Sequence, residues 1–348
     1  MYTPVLKWKA GEKRALKNLP DIIKSNILPI IELQPCIDDE ESSEIIKKFG
    51  DDIIKYLGKD SEFLLDFSYF DIELQLENYV KAFLEVCLSK GVRCIPIISL
   101  NNYDLYTEQF VEAHNFIKNG IAIRITKENL INNLNNSQNI NNVKKILEET
   151  KKDESSSILI IDFESISENN LSDNVLVYNH IKANLDLKSY KKVILVGTGF
   201  PNGFPSSYMD GESQKEFPRL EQKLWKNLDI NSNEKIIYGD YCCSSPAPLI
   251  ADSRNLRPSA IIKYTTENSW LIVRGEQLFR AGHSQYHDLS KKIINSKYFK
   301  GKTYSYGDEF IFNCASDDNS KAGNPTTWVQ VATNHHITLV VNQISKSL

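Results

Sequence analysis

Eight short runs of apolar and β-branched residues recur before residue 242 of this 348-residue chain, and no other feature limits its fold so strongly. They are Pro4 to Trp8, Ile27 to Leu33, Phe63 to Phe67, Cys94 to Leu100, Gly120 to Thr126, Ile158 to Phe163, Val193 to Gly197 and Ile236 to Tyr241. Their apolar character is continuous rather than alternating, as in parallel strands buried on both faces. Between them lie amphipathic segments that read as helices: Glu40 to Leu57, Leu74 to Lys90, Leu105 to Lys118, Asn141 to Lys151 and Gln214 to Leu228. Such a rhythm builds a (β/α)8 barrel or a doubly wound sheet. About eight units fit between residues 2 and 275, so the chain reads as α/β, a (β/α)8 TIM-like barrel with a C-terminal strand/helix extension.

The register of the barrel has two solutions. Ala260 to Tyr264 and Trp270 to Arg274 form a further strand pair around a turn at Thr265 to Ser269. Either Pro4 to Trp8 opens the barrel and this pair is an addition, or the pair closes the barrel and the first run lies outside. Cys242 to Pro258 is too rich in Ser and Pro for a crossover helix, which favours the first solution. The expected division is therefore a barrel over 1–299, including the 259–275 strand pair, and an extension over 300–348 packed on it. In the extension Glu309 to Cys314 reads as a strand. Asn324-Pro325-Thr326 then opens a helical stripe of Trp328, Val331, His335, Leu339 and Ile344.

Forty-one basic against forty-five acidic residues give a net charge of -4, so the overall charge does not indicate a nucleic-acid partner. The six cysteines (Cys36, Cys87, Cys94, Cys242, Cys243, Cys314) contain no CxxC pair and read as reduced thiols. The charged N-terminus lacks the apolar run of a signal peptide, and no stretch reaches the ~20 apolar residues of a membrane span, so a cytoplasmic location is expected.

Chemistry is expected where the strands end. Glu32, Asp66, Arg124, Asp162, Glu164, Asp240 and Lys263 each fall at or just past the end of a hydrophobic run, the positions that line the C-terminal mouth of a barrel. Asp162 and Glu164, two apart on a strand, would face the same side and offer paired oxygens. Hard oxygen ligands suit Mg2+ or Ca2+, and Arg124 with Lys263 would hold an anion such as a phosphate or nucleotide. The same residues would equally form buried ion pairs that only neutralise one another.

Other features carry less. The chain has no GxSxG, HExxH or GxxxxGK[ST] motif. His335 and His336 are adjacent, point about 100° apart on a helix, and read as packing residues. His283 and His287 have the i, i+4 spacing of a metal pair without the accompanying Glu. Cys242 and Cys243 read as small buried hydrophobes. Asn132 to Asn142 is a polar surface loop, and Gly199 to Pro218, following a strand, is placed to act as a lid.

A family resemblance adds to this. Tyr2-Thr3-Pro4-Val5-Leu6-Lys7-Trp8-Lys9-Ala10-Gly11-Glu12 with Ala15-Leu16 opens a succession that continues with Leu28-Pro29-Ile30-Ile31-Glu32 and Gly239-Asp240-Tyr241. Lys263-Tyr264, Trp270, Arg274-Gly275, Trp328 and Asn334-His335-His336 complete it. This order resembles the phage and prophage-encoded beta family proteins across nearly the whole chain. Cys242-Cys243-Ser244-Ser245-Pro246 departs from the Gly- and His-containing versions of that loop. The resemblance implies a gene of mobile elements or anti-phage defence loci. It also implies an immunity or regulatory role toward a toxic companion encoded in the same locus, or recognition of a phage-derived trigger. It implies no agreed catalytic mechanism. Two functions thus stand side by side: an interaction protein, and a metal-dependent phosphodiesterase or nuclease-like hydrolase using the strand-end carboxylates with Mg2+.

Overall fold

A computed structural model describes residues 1–35, 39–70, 78–127, 129, 138–203, 207–230, 235–246 and 257–347. Cys36, the start of the 74–90 segment, most of the asparagine-rich loop, part of the 199–218 loop and most of 242–258 lie outside the described residues.

All eight apolar runs form parallel strands, and they close into a barrel. The strands are β1 (Tyr2–Leu6), β2 (Ile30–Glu32), β3 (Glu62–Asp66), β4 (Arg93–Ser99), β5 (Ala122–Thr126), β6 (Ile158–Ser165), β7 (Lys192–Thr198) and, after an intervening strand β8 (Gln214–Pro218), β9 (Ile236–Asp240). β1 seals the barrel by pairing with β2 at Val5 and Ile30 and with β9 at Tyr2 and Tyr238. Pro4 to Trp8 thus belongs to the opening strand, and the 259–275 pair lies outside the barrel.

The chain divides into two compact units. The first comprises 1–8, 27–197 and 220–240, and the second 9–26, 198–219 and 241–348. In the first, helices separate successive strands, among them Asp39–Tyr56, Tyr79–Lys90, Gln138–Thr150, Leu171–Asn184 and Leu220–Ile230. Tyr79–Lys90 shows why such a segment starts and stops where it does. The Asn78 side chain accepts from the Lys81 N–H at 2.8 Å, and Gly91 ends the helix in the left-handed conformation. Its buried face meets the preceding helix and the end of β3 through edge-on rings, Phe83 lying 5.1 Å from Phe49 on Asp39–Tyr56 and 5.7 Å from Phe67 just past β3.

One glycine of this unit is obligatory. Gly120 has φ of 91°, and a Cβ there would lie 2.2 Å from the Ser156 carbonyl oxygen. Gly120→Ala is expected to destabilise the first unit by at least ~2 kcal/mol, the left-handed penalty plus displacement of backbone, as a lowered urea midpoint with unchanged slope.

In the second unit β8, β10 (Ser259–Thr265) and β11 (Ser269–Gln277) form an antiparallel sheet in the order β10-β11-β8. Period-2 alternation splits β11 between two cores. Leu271 and Val273 pack with Tyr286, Ile311, Trp328 and Val331, while Trp270 and Ile272 pack with Phe200, Met209 and Ala332. Residues on Gln285–Ile294, Tyr306–Ser316 and Pro325–Ser347 cover this sheet. The expected boundary at 299/300 therefore does not separate compact units, because the 259–277 strands share one core with the helices beyond residue 300.

Two elements differ from the sequence reading. Gln214 to Pro218 is an edge strand paired with β11, and the helix begins only after Pro218, whose ring disfavours helix in the residue before it. Glu309 to Cys314 is helical: the Ser305 hydroxyl caps the Asp308 N–H at 3.1 Å, and Gly307, Ile311 and Cys314 are buried at helical spacing. The apolar run was too short for periodicity to separate the two states. The stripe from Trp328 onward is helical as expected.

The five described cysteines are buried and form no disulfide with one another. No helix of the described residues is long and apolar enough to cross a membrane.

Candidate functional site: a salt-bridged barrel mouth

Parallel strands end on one face, so residues in the C-terminal halves of β2, β3, β5 and β6 share a layer. Glu32 pairs in register with Asp66, and Asp162 with Thr126, two residues beyond Arg124. Arg124 contacts carboxylates from β2 and β3 as well as its neighbour β6. A single guanidinium can reach strands that are not adjacent only across the barrel interior. The Arg124, Glu32, Asp66 and Asp162 side chains therefore point inward, and all four are buried.

The hydrogen bonds account for every oxygen of the three acids. Arg124 Nε and Nη2 donate to Asp162 Oδ2 at 2.9 and 2.5 Å, and Nη1 donates to Glu32 Oε1 at 2.9 Å and to Asp66 Oδ2. Lys7, just past β1, donates to Glu32 Oε2. Asp66 Oδ1 accepts from the Ser68 N–H at 2.8 Å and hydroxyl at 2.5 Å, and Asp162 Oδ1 accepts from the Glu164 N–H at 2.8 Å. Each oxygen thus has a donor, the condition for keeping carboxylates out of water. Tyr69 completes the layer: the Lys7 ammonium lies 5.3 Å from its ring centre. Burial, then the charge of Glu32, holds its phenol well above the ordinary range.

The remaining expected mouth residues go elsewhere. Glu164 has φ of 53°, which breaks the strand alternation after Asp162, so the expected pairing of their side chains gives way to a backbone bond. It lies within electrostatic reach of Lys127. Asp240 faces outward. It accepts from the Tyr2 and Tyr238 hydroxyls at 2.5 and 2.8 Å, and the Tyr238 ring lies 5.3 Å from Trp225 on the helix outside β9. Lys263 is on β10 in the second unit, not on a barrel strand. Its ammonium donates to the Cys243 carbonyl at 2.7 Å, sits 4.5 Å from the Phe200 ring centre, and is held below its usual range by burial.

The histidine pairs also separate. His287 is buried and bonds the Cys314 carbonyl at 2.7 Å, whereas His283 is exposed ahead of the helix. His335 bonds Asp308 Oδ2 and the Thr265 carbonyl, each at 2.8 Å, and His336 bonds the Thr265 hydroxyl at 2.9 Å. Cys242 and Cys243 are buried.

Lys7, Ser68 and Tyr69 are the mouth residues that sequence reasoning missed. Lys7 was within reach of the same rule, since it follows β1 as Glu32 ends β2. Ser68 gives no comparable signal, because its role rests on a turn after Asp66.

Chemically, this layer fixes the strand ends. Each of its oxygens already has a cation or an N–H or O–H donor, so a divalent cation taken by these carboxylates would compete with Arg124, Lys7, Ser68 or the Glu164 N–H. Fold and site together define an α/β-barrel protein whose C-terminal mouth is held by a buried ion-pair network.

The sequence matches the family described as Beta protein over residues 2–342, and the chain belongs to that family. It is also 24% identical over 347 residues to "Protein beta" of Enterobacteria phage P4, covering 97% of this chain and 91% of the phage protein.

Proposed function

We propose that this chain acts by binding a protein, as the immunity or regulatory partner of a toxic companion encoded in the same locus, in a prophage or phage-defence setting. The observation that carries this reading is the saturation of the mouth: all six oxygens of Glu32, Asp66 and Asp162 already have donors. A metal-dependent phosphodiesterase would need those oxygens for a cation or an attacking water. The likeness to a phage protein supports the mobile-element setting, and a phage-derived protein is the second candidate partner.

Expressing the neighbouring genes with and without this chain tests the proposal. Growth is expected to stop when the companion is expressed alone and to return to the empty-vector level when this chain is added, with the two proteins co-purifying. Identical growth and phage sensitivity in both strains would contradict it.

A further inference from the structure

At the opposite end of the barrel lies a feature that the mouth does not explain. The loops entering β5, β6 and β7, with the start of β3, enclose an open cleft of about 580 Å³. Its charged residues are Lys118, Lys151, Lys152, Lys191, Glu62 and Asp153, a local balance of +2 in a chain of net charge -4. It is separated from the Arg124 layer by the length of β6, about 17 Å from Ser157 to Asp162 at ~3.3 Å per residue.

The acids of the cleft are already engaged. Asp153 Oδ1 accepts from the Ser155 hydroxyl and the Ser156 N–H, each at 2.9 Å, and Glu62 is 3.4 Å from Lys192. Lys152 donates to the Ile117 carbonyl at 3.3 Å. By contrast, Lys118, Lys151 and Lys191 are exposed and have no side-chain ion pair among the described residues. Lys151 has a second distinction: it terminates the Gln138–Thr150 helix at φ of 54°, the left-handed position that glycine normally fills. Lysine at that position strains the backbone and brings one more ammonium to the cleft.

We propose that this cleft binds an oligophosphate anion, either free or as the phosphate chain of a nucleotide. Three cations without carboxylate partners among the described residues, each ammonium carrying three N–H donors, match the charge and hydrogen-bonding demand of linked phosphates. The volume is that of a small-molecule site. No aromatic residue lines the cleft among the described residues, so it offers no stacking platform for single-stranded nucleic acid.

Calorimetric titration of the full chain with inorganic triphosphate, ATP and a short DNA duplex tests this. Saturable triphosphate binding that weakens with salt is expected, and Lys151→Gly with Lys191→Ala should weaken it about tenfold or more. That variant should keep or raise the melting temperature, because glycine relieves the left-handed strain. Lys118→Ala with Lys191→Ala is a second variant that leaves the helix end untouched. Equal affinity for triphosphate and ATP would identify the phosphate chain as the ligand, and tighter ATP binding would identify a nucleotide. No saturable binding up to about 1 mM, unchanged affinity in both folded variants, or preference for the duplex would overturn the proposal.

Discussion

Arg124→Met is expected to lower the unfolding free energy by about 3–5 kcal/mol, the usual cost of breaking a buried ion pair from one side. Methionine roughly preserves volume, so the loss comes from charge and hydrogen bonding rather than from a cavity. In the variant Asp66 Oδ2, Asp162 Oδ2 and Glu32 Oε1 lose their Arg124 donor inside the barrel, and Lys7 alone stays on Glu32. Arg124→Lys should recover only part of the loss, since one ammonium cannot reproduce a planar fork that reaches three carboxylates. Urea unfolding of wild type and both variants measures this. An Arg124→Met effect below about 1 kcal/mol would place the network in the range of exposed pairs and contradict its structural role.

Asp308→Ala is expected to destabilise the second unit by a similar amount, about 3–5 kcal/mol. Asp308 is buried and accepts from the Tyr264 hydroxyl at 2.7 Å, the Ser305 hydroxyl at 2.5 Å and His335 Nδ1 at 2.8 Å. His335 Nε2 lies against the Thr265 carbonyl and Nδ1 against the Asp308 carboxylate, so the ring bridges the Tyr306–Ser316 helix and the end of β10. Burial alone would raise the Asp308 pKa, but the His335 charge and the donated hydrogen bonds outweigh it and hold the carboxyl below its ordinary value. A depressed folded pKa contributes stability that is present above the unfolded value near ~3.9 and is lost as pH falls through the folded value. The difference between wild type and Asp308→Asn should therefore be largest near neutral pH and shrink below about pH 4. Urea midpoints across that range measure it, and a difference that grows in acid would contradict the assignment.

The barrel was legible in the sequence because its strands are buried on both faces and therefore read as continuous apolar runs. Strand polarity then placed Glu32, Asp66, Arg124 and Asp162 at one end. Which way each side chain points was not legible. Asp240 looks outward because the alternation of β9 sets it on the same face as Tyr238, whose ring meets Trp225. Glu164 leaves the alternation through a left-handed backbone that only the fold imposes. Lys263 follows an apolar run as convincing as the others, but its strand pairs antiparallel with β11 and so belongs to another sheet. The helix over Tyr306–Ser316 was hidden for a different reason. Its capping serine lies four residues ahead of the apolar run, outside the window that suggested a strand.

The most direct test of the central claim is the co-expression assay repeated with Asp162→Asn. Asparagine keeps the shape and an acceptor oxygen for Arg124 but removes the charge that a metal ligand or general base would need. If the mouth is a structural network and the chain works by binding a partner, the folded variant will suppress the companion's toxicity as fully as wild type. A variant that folds normally and fails to suppress would show that the carboxylate itself carries the function, and the hydrolase reading would replace this one.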